Sequence, residues 1–242
     1  MGNNRWMTFR CVSRETDLWV AVDLGHYSKE AERFTMGRIL HYRAILENHI
    51  ECNPEFRDSL TPVAGTDGAH PIISAMCDAA MKAGTGPMSA VAGTIAEFIC
   101  RDLLSEFNAD EVIIENGGDI FMKLTAPVTT SVFAGDSPLS EKIALHIRPE
   151  ETPLSVCCSS GTIGHSLSFG IADACVIACR SGALADACAT AFCNEVKDHG
   201  MIHEVTERAL AIPETEAVVI IAGDKVGLGG RIEIKLISRP PD

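Results

Sequence analysis

Basic residues are in short supply. Lysine and arginine number 20 against 33 aspartates and glutamates, a formal net charge of −13. No five basic residues stand together. Neutralising nucleic-acid phosphates takes a basic face, and an anionic bilayer makes the same demand. Neither nucleic acid nor a membrane is therefore an expected partner. Long apolar runs are missing too. The stretches 88–100 and 169–194 are interrupted by Glu97, Asp173, Arg180 and Asp186 before reaching the ~18 uncharged residues that a spanning helix needs. The opening MGNNRWMTFRCVSRETDLWV has no charged segment followed by an apolar one and a small-residue cleavage site, so the expected location is cytoplasmic.

Several chemical signatures are also missing. There is no G-x-S-x-G elbow, which leaves serine-hydrolase chemistry without support. Neither G-x-G-x-x-G after a strand nor G-x-x-x-x-G-K-[ST] is present. The ten cysteines include no C-x-x-C. Cys157 and Cys158 would face opposite sides of a strand, and Cys188 and Cys193 lie about 140° apart on a helix. Buried free thiols are the expectation. Cys175 and Cys179, sharing one strand face, keep a redox or thiolate-metal role open.

What is present is a mixture of hairpins and helices. Residues 8–14 and 17–23 alternate as a hairpin with Glu15-Thr16 at its turn. Ser28 is a suitable N-cap for a helix running to about Glu51, where Asn53-Pro54 stops it. Pro71 opens a shorter helix to about Ala83. A glycine-rich turn then feeds a helix to residue 107. Residues 111–124 read as strand, glycine turn, strand. Strand-like runs follow at 131–135, 142–148, 154–159 and 174–179, then a helix at 184–196, a helix at 202–211, and strands near 217–222 and 231–237. Without strict βαβ alternation, the expected class is α+β: antiparallel sheets with packed helices, in a single domain spanning 1–242.

Four constellations could carry chemistry. In ALADACATAFCN, residues 183–194, Asp186 and Thr190 are one helical turn apart and point the same way. A carboxylate in an apolar helix is costly unless paired or coordinating. The pair reads either as two hard ligands for a cation, or as a capping or solvent-edge Asp beside a Thr bonded to its own helix. In GTGPMSAVAG, residues 84–93, a helix start could hold phosphate on unpaired N–H groups. Its small residues serve equally for close helix packing. ENGGDI, residues 115–120, is explained by a hairpin turn, although Glu115 follows an apolar run and could face a site. In SSGTIGHS, residues 159–166, His165 shares a polar glycine loop with Ser159 and Ser160.

Taken in order, GPMSAVAGTIAE, IENGGDI, SSGTIGHS and ALADACATAFCN resemble the ApbE-like family, whose best-studied branch is the FAD:protein FMN transferases. The chain looks closest to a short branch of it. The match in order covers about residues 84–196, and the Ala-Asp…Ala-Thr element is its most specific part. The resemblance implies an ApbE-like fold and a Mg²⁺ site formed by Asp186, Thr190 and the backbone carbonyl at Ala92. It implies contacts to FAD or a related nucleotide diphosphate from Gly86, Met88 and Ala90 at the helix start, from Glu115, Asn116, Gly117, Gly118 and Asp119 at the turn, and from Ser160 and Gly161 in the loop. Asp186 and His165 are the implied catalytic residues, and an acceptor protein receiving FMN on Thr or Ser is the implied partner. The family lysine at the helix start has no counterpart; Gly93 and Thr94 occupy that neighbourhood. The family's H-I-I-D-P segment is reduced to GHSLSFG, where His165 takes the histidine's place. Two readings therefore stand side by side: a Mg²⁺-dependent transferase, and a flavin- or nucleotide-binding module without the chemistry.

Overall fold

The computed structural model describes residues 5–65, 67–162 and 169–238. The chain opens with a hairpin of β1 (Trp6–Ser13) and β2 (Thr16–Asp23). Ser13 pairs with Thr16, so the turn is Arg14-Glu15, one residue earlier than the alternation suggests. Arg14 takes the positive φ of 53° that the tight turn requires. Helix α1 (Lys29–Cys52) starts where Ser28 accepts the Ala31 N–H at 3.1 Å. Pro54 both ends α1 and opens a short helix, α2 (Pro54–Asp58), because proline at a first turn sacrifices no hydrogen bond. Helix α3 (Pro71–Ala83) follows, then a 3-10 turn (Pro87–Ala90) running into α4 (Val91–Phe107).

The remaining strands are β3 (Val112–Asn116), β4 (Asp119–Lys123), β5 (Val128–Ser131), β6 (Ile143–Ile147), β7 (Leu154–Ser159) and β8 (Ala174–Cys179). Helices α5 (Gly182–Glu195) and α6 (Ile202–Leu210) precede β9 (Thr215–Ala222), β10 (Lys225–Gly230) and β11 (Glu233–Leu236). Two expectations shift. The strand expected at 131–135 is centred earlier, as β5, and β10 was not expected at all. In KVGLGG, Gly227 and Gly229 sit where a Cβ would lie 2.1 Å from Thr206 Oγ1 and 2.4 Å from Leu210 Cδ1. Glycine lowers local strand preference, but here it lets α6 lie close against the strand.

Eight strands form one antiparallel sheet in the order β1-β2-β3-β4-β7-β8-β9-β10, and β11-β6-β5 form a second. Alternate residues of the large sheet enter two cores. Val112, Ile114, Cys157, Cys175, Ile177, Val218 and Ile220 pack with residues of the helices. Ile113, Met122, Val156, Val176, Val219 and Ile221 pack against Ile143, Leu145 and Ile147 of the small sheet. The result is three layers, helices on large sheet on small sheet, in an α+β fold. Covering both faces explains why ACVIAC of β8 is buried at every position. Cys157 and Cys158 do face opposite layers, and Cys175 and Cys179 share the helix side.

Candidate functional site

Helices α4 and α5 meet at two glycines. A Cβ on Gly93 would lie 2.4 Å from the Gly182 carbonyl oxygen, and one on Gly182 would lie 2.3 Å from that of Gly93. Only glycine permits this backbone approach. Each helix then supplies a carboxylate to the other's start. Asp186 Oδ2 of α5 accepts the Gly93 N–H at 2.9 Å, and Glu97 Oε2 of α4 accepts the Gly182 N–H at 2.6 Å. First-turn N–H groups have no partner within their own helix, and a negative charge there also meets the positive end of the helix dipole. Arg101 holds the other oxygen of Glu97, with Nε at 2.9 Å. Asp186 is thus the interhelical counterpart of a cap, within α5 but serving α4.

Beside this crossing lies a cavity of about 470 Å³, within the usual size of small-molecule sites. Asp186 and Thr190 of α5 line it with Ala92 of α4, Asn116 and Gly117 at the end of β3, and Asp119 at the start of β4. Asn116 Nδ2 donates to the Ala92 carbonyl at 3.1 Å, which fixes that oxygen's direction. Asp119 Oδ1 accepts the Cys158 N–H at 3.2 Å. Burial pushes the Asp119 carboxyl up to about 7. Asp186 is pushed well above the usual carboxylate range, by burial first and then by the neighbouring Asp119. The Cys157 thiol is raised by burial and by the same two carboxylates. Two buried acids thus share the cavity, and the charge of Asp119 opposes ionisation of both Asp186 and the Cys157 thiol.

The structure gathers Met88, Ala92, Asn116, Gly117, Asp119, Asp186 and Thr190 around this cavity. Gly118 and Ser160 line a second one, of about 480 Å³, with Ile120, Phe133, Leu145 and Val176. Gly117, Cys158 and Ser159 border both. Four expected residues line neither. A Cβ on Gly86 would lie 1.8 Å from Ser59 O, and one on Gly161 would lie 2.1 Å from Gly170 O, so both serve close packing. Ala90 is fully buried in the helical core. Glu115 alternates to the other side of β3 from Asn116 and uses Oε1 to accept the Gly118 N–H at 2.6 Å, closing the turn. His165 lies outside the described residues. Residues not singled out from the sequence also line the first cavity: Glu15 and Thr16 from the hairpin, and Arg43, Leu46, Glu47 and Ile50 from α1. Their spacing on α1, i, i+3, i+4 and i+7, was the available signal.

The family model described as AbpE bacteria matches residues 2–222. This chain belongs to that family. Relatives of similar length include the UPF0280 protein of Methanocaldococcus jannaschii, 38% identical over 94% of this chain and 92% of its own. The UPF0280 protein of Methanocella arvoryzae is 36% identical over 90% and 86%. Among solved structures, the Pseudomonas stutzeri flavinyl transferase ApbE in its apo form superposes with a TM-score of 0.57 at 11% identity, covering 94% of this chain and 96% of that one. The ApbE protein of Thermotoga maritima gives 0.54 at 12% identity, covering 93% and 97%. At such identity the likeness is one of fold, and it bears out the ApbE-like architecture expected of this AbpE-family chain. Among the described residues no helix is long and apolar enough to cross a membrane, and no three His, Cys, Asp or Glu side chains are grouped to hold a metal. All ten cysteines are free thiols, eight of them buried.

Proposed function

We propose that this chain, acting as a single domain in the cytoplasm, binds Mg²⁺ and FAD or a related nucleotide diphosphate at the α4–α5 crossing, and transfers FMN to a Thr or Ser hydroxyl of an acceptor protein. The observation that carries this reading is the convergence of Asp186, Thr190, the Ala92 carbonyl and Asp119 on one cavity. The donor set fits Mg²⁺. It is made of hard oxygens, and it includes fewer protein carboxylates than an all-protein cage, which suits an ion that keeps waters and leans on substrate phosphates. Both buried carboxylates are raised by burial, and Asp186 also by Asp119, so a cation placed between them would favour their charged forms.

Bound there, Mg²⁺ would supply charge neutralisation at a pyrophosphate whose bond is breaking. The chain's own groups do the rest. Asp186 and Thr190 present their oxygens from one face of a helix whose position is set by the Gly93–Gly182 contact. Asn116 aims the Ala92 carbonyl. Met88, Val91 and Ile95 form apolar wall, which excludes water and strengthens the electrostatic contacts inside. That the Pseudomonas stutzeri neighbour of the same fold is a flavinyl transferase supports the reading.

Thermal melting tests it. The melting temperature of the purified chain should rise with FAD or ADP only when Mg²⁺ is present, and Asp186→Ala should lose that rise while keeping its circular dichroism. A wild-type chain with no Mg²⁺-dependent shift overturns the proposal. A binding-only reading is favoured by one observation: among the described residues lining the cavity there is neither lysine nor histidine. Incubation with FAD, Mg²⁺ and a threonine-bearing acceptor domain separates the two, because covalent flavin on the acceptor rules out binding alone.

A further inference from the structure

Different elements give the cavity different chemistry. Helix α5 and strand β4 bring the carboxylates, whereas α1 brings Leu46 and Ile50 together with Arg43 and Glu47. Arg43 is the one cationic side chain among the described residues lining this cavity. Its side chain is only 16% exposed. The guanidinium is pinned: Nη1 donates to Thr16 Oγ1 at 3.1 Å, and Nη2 to Glu15 at 2.6 Å and Glu47 at 3.1 Å. Arg14 in turn holds Glu47 at 2.9 Å. Of the five N–H groups that a guanidinium carries, three are used in these bonds, and the rest have no partner among the described residues.

A half-buried, planar donor held rigid beside apolar walls is built for shape and edge recognition. Leu46, Ile50 and Ile95 suit the faces of a flat ring, and the unpaired N–H groups suit carbonyl or ring-nitrogen acceptors on its edge. A phosphate is a poor match for the same guanidinium, because Glu15 and Glu47 already neutralise it and would repel a second anion.

We infer that Arg43 is a specificity-determining residue for the organic end of the ligand: the α1 face takes a heteroaromatic ring bearing acceptor atoms, while the diphosphate lies with Asp186 and Thr190. The inference rests on the preceding reading for the diphosphate end. It adds the ring chemistry and the residues that select it.

Titration calorimetry in constant Mg²⁺, with inorganic pyrophosphate and FAD as separate probes, tests it on the wild type, Arg43→Met and Ile50→Trp. The wild type should bind FAD more tightly than pyrophosphate. Arg43→Met keeps the aliphatic stem and removes the donors. It should weaken FAD about tenfold or more, the loss expected for hydrogen bonds to a charged group, and leave pyrophosphate within about twofold. Ile50, only partly buried, also lines the apolar wall; Ile50→Trp fills that wall without touching the ion pairs and should produce the same split, which guards against Arg43→Met failing to fold. Equal weakening of both probes, or unchanged FAD binding in both variants, overturns the inference. A wild type that binds pyrophosphate but gains nothing from FAD also overturns it, and leaves the diphosphate site standing. A wild type that binds FAD in an Arg43-dependent way but not pyrophosphate overturns the diphosphate site alone, and one that binds neither probe overturns both.

Discussion

Replacing Gly93 with alanine pits two effects of known sign against each other. Alanine in place of glycine inside a helix is favourable by about 1 kcal/mol. At Gly93, however, the new methyl would lie 2.4 Å from the Gly182 carbonyl oxygen and 2.8 Å from Asp186 Cβ, where ordinary contact begins at 3.4 Å. The first of these is a backbone atom and cannot rotate away, so α5 must retreat by about 1 Å. Overpacking of this kind costs about 1–3 kcal/mol, and here it falls at the upper end because a whole helix moves. The net expectation is a loss of about 2 kcal/mol, or about 4–8 °C in melting temperature for a chain of this size. Gly37 provides the contrast. It sits inside α1 with nothing within 4 Å of a built Cβ, so Gly37→Ala should gain up to about 1 kcal/mol. Urea unfolding of the two variants measures both effects. Because Asp186 rides on the displaced helix, Gly93→Ala should also lose most of the Mg²⁺-dependent melting shift. A Gly93→Ala protein as stable as the wild type, with that shift intact, would refute the argument that the crossing sets the site.

Two further outcomes follow from the buried acids and thiols. Asp119 is held near 7 in the folded chain against about 3.9 when unfolded, so between those values the folded chain keeps a proton that the unfolded chain has released. The contribution of Asp119 to stability without metal should therefore fall as pH rises from about 4 to about 7 and then level off. Asp119→Asn should flatten this part of the profile in urea titrations with chelator, and an unchanged slope would count against the burial argument. Thiol alkylation of the native chain should be confined to the exposed Cys52, because burial pushes Cys157 and Cys175 well up and keeps them protonated and shielded. Rapid modification of either buried thiol, read by peptide mass mapping, would revive a thiol-based role.

Local signals were legible where a local cause acts. Ser28 caps α1 through its own hydroxyl, Pro71 opens α3, and Gly117 and Gly118 take the positive φ of the β3–β4 turn. Strand β10 was illegible because its glycines answer to α6, a tertiary neighbour that no window of KVGLGG contains. The site divides the same way. Asp186 and Thr190 could be paired from helical period alone, since they lie one turn apart. That Asp186 binds the start of α4 could not, because its partner Gly93 is remote in sequence. Glu115 looked inward after an apolar run, yet strand alternation turns it away from Asn116 and into the turn.

The order of the large sheet has a consequence for how the chain is made. Its strands run β1-β2-β3-β4-β7-β8-β9-β10, the order in which they leave the ribosome with only β5 and β6 set aside. Each newly synthesised strand therefore meets an edge already in place, and the sheet can grow during translation. The small sheet obeys another schedule, since β6 keeps one edge open until β11 arrives at the end of the chain. The oxygens of the cavity are divided likewise: Ala92, Asn116 and Asp119 emerge first, and Asp186 and Thr190 only with α5. A nascent chain stopped before α5 lacks two of the oxygens proposed to hold a cation. On the proposed function, ligand stabilisation would reach only chains translated past α5.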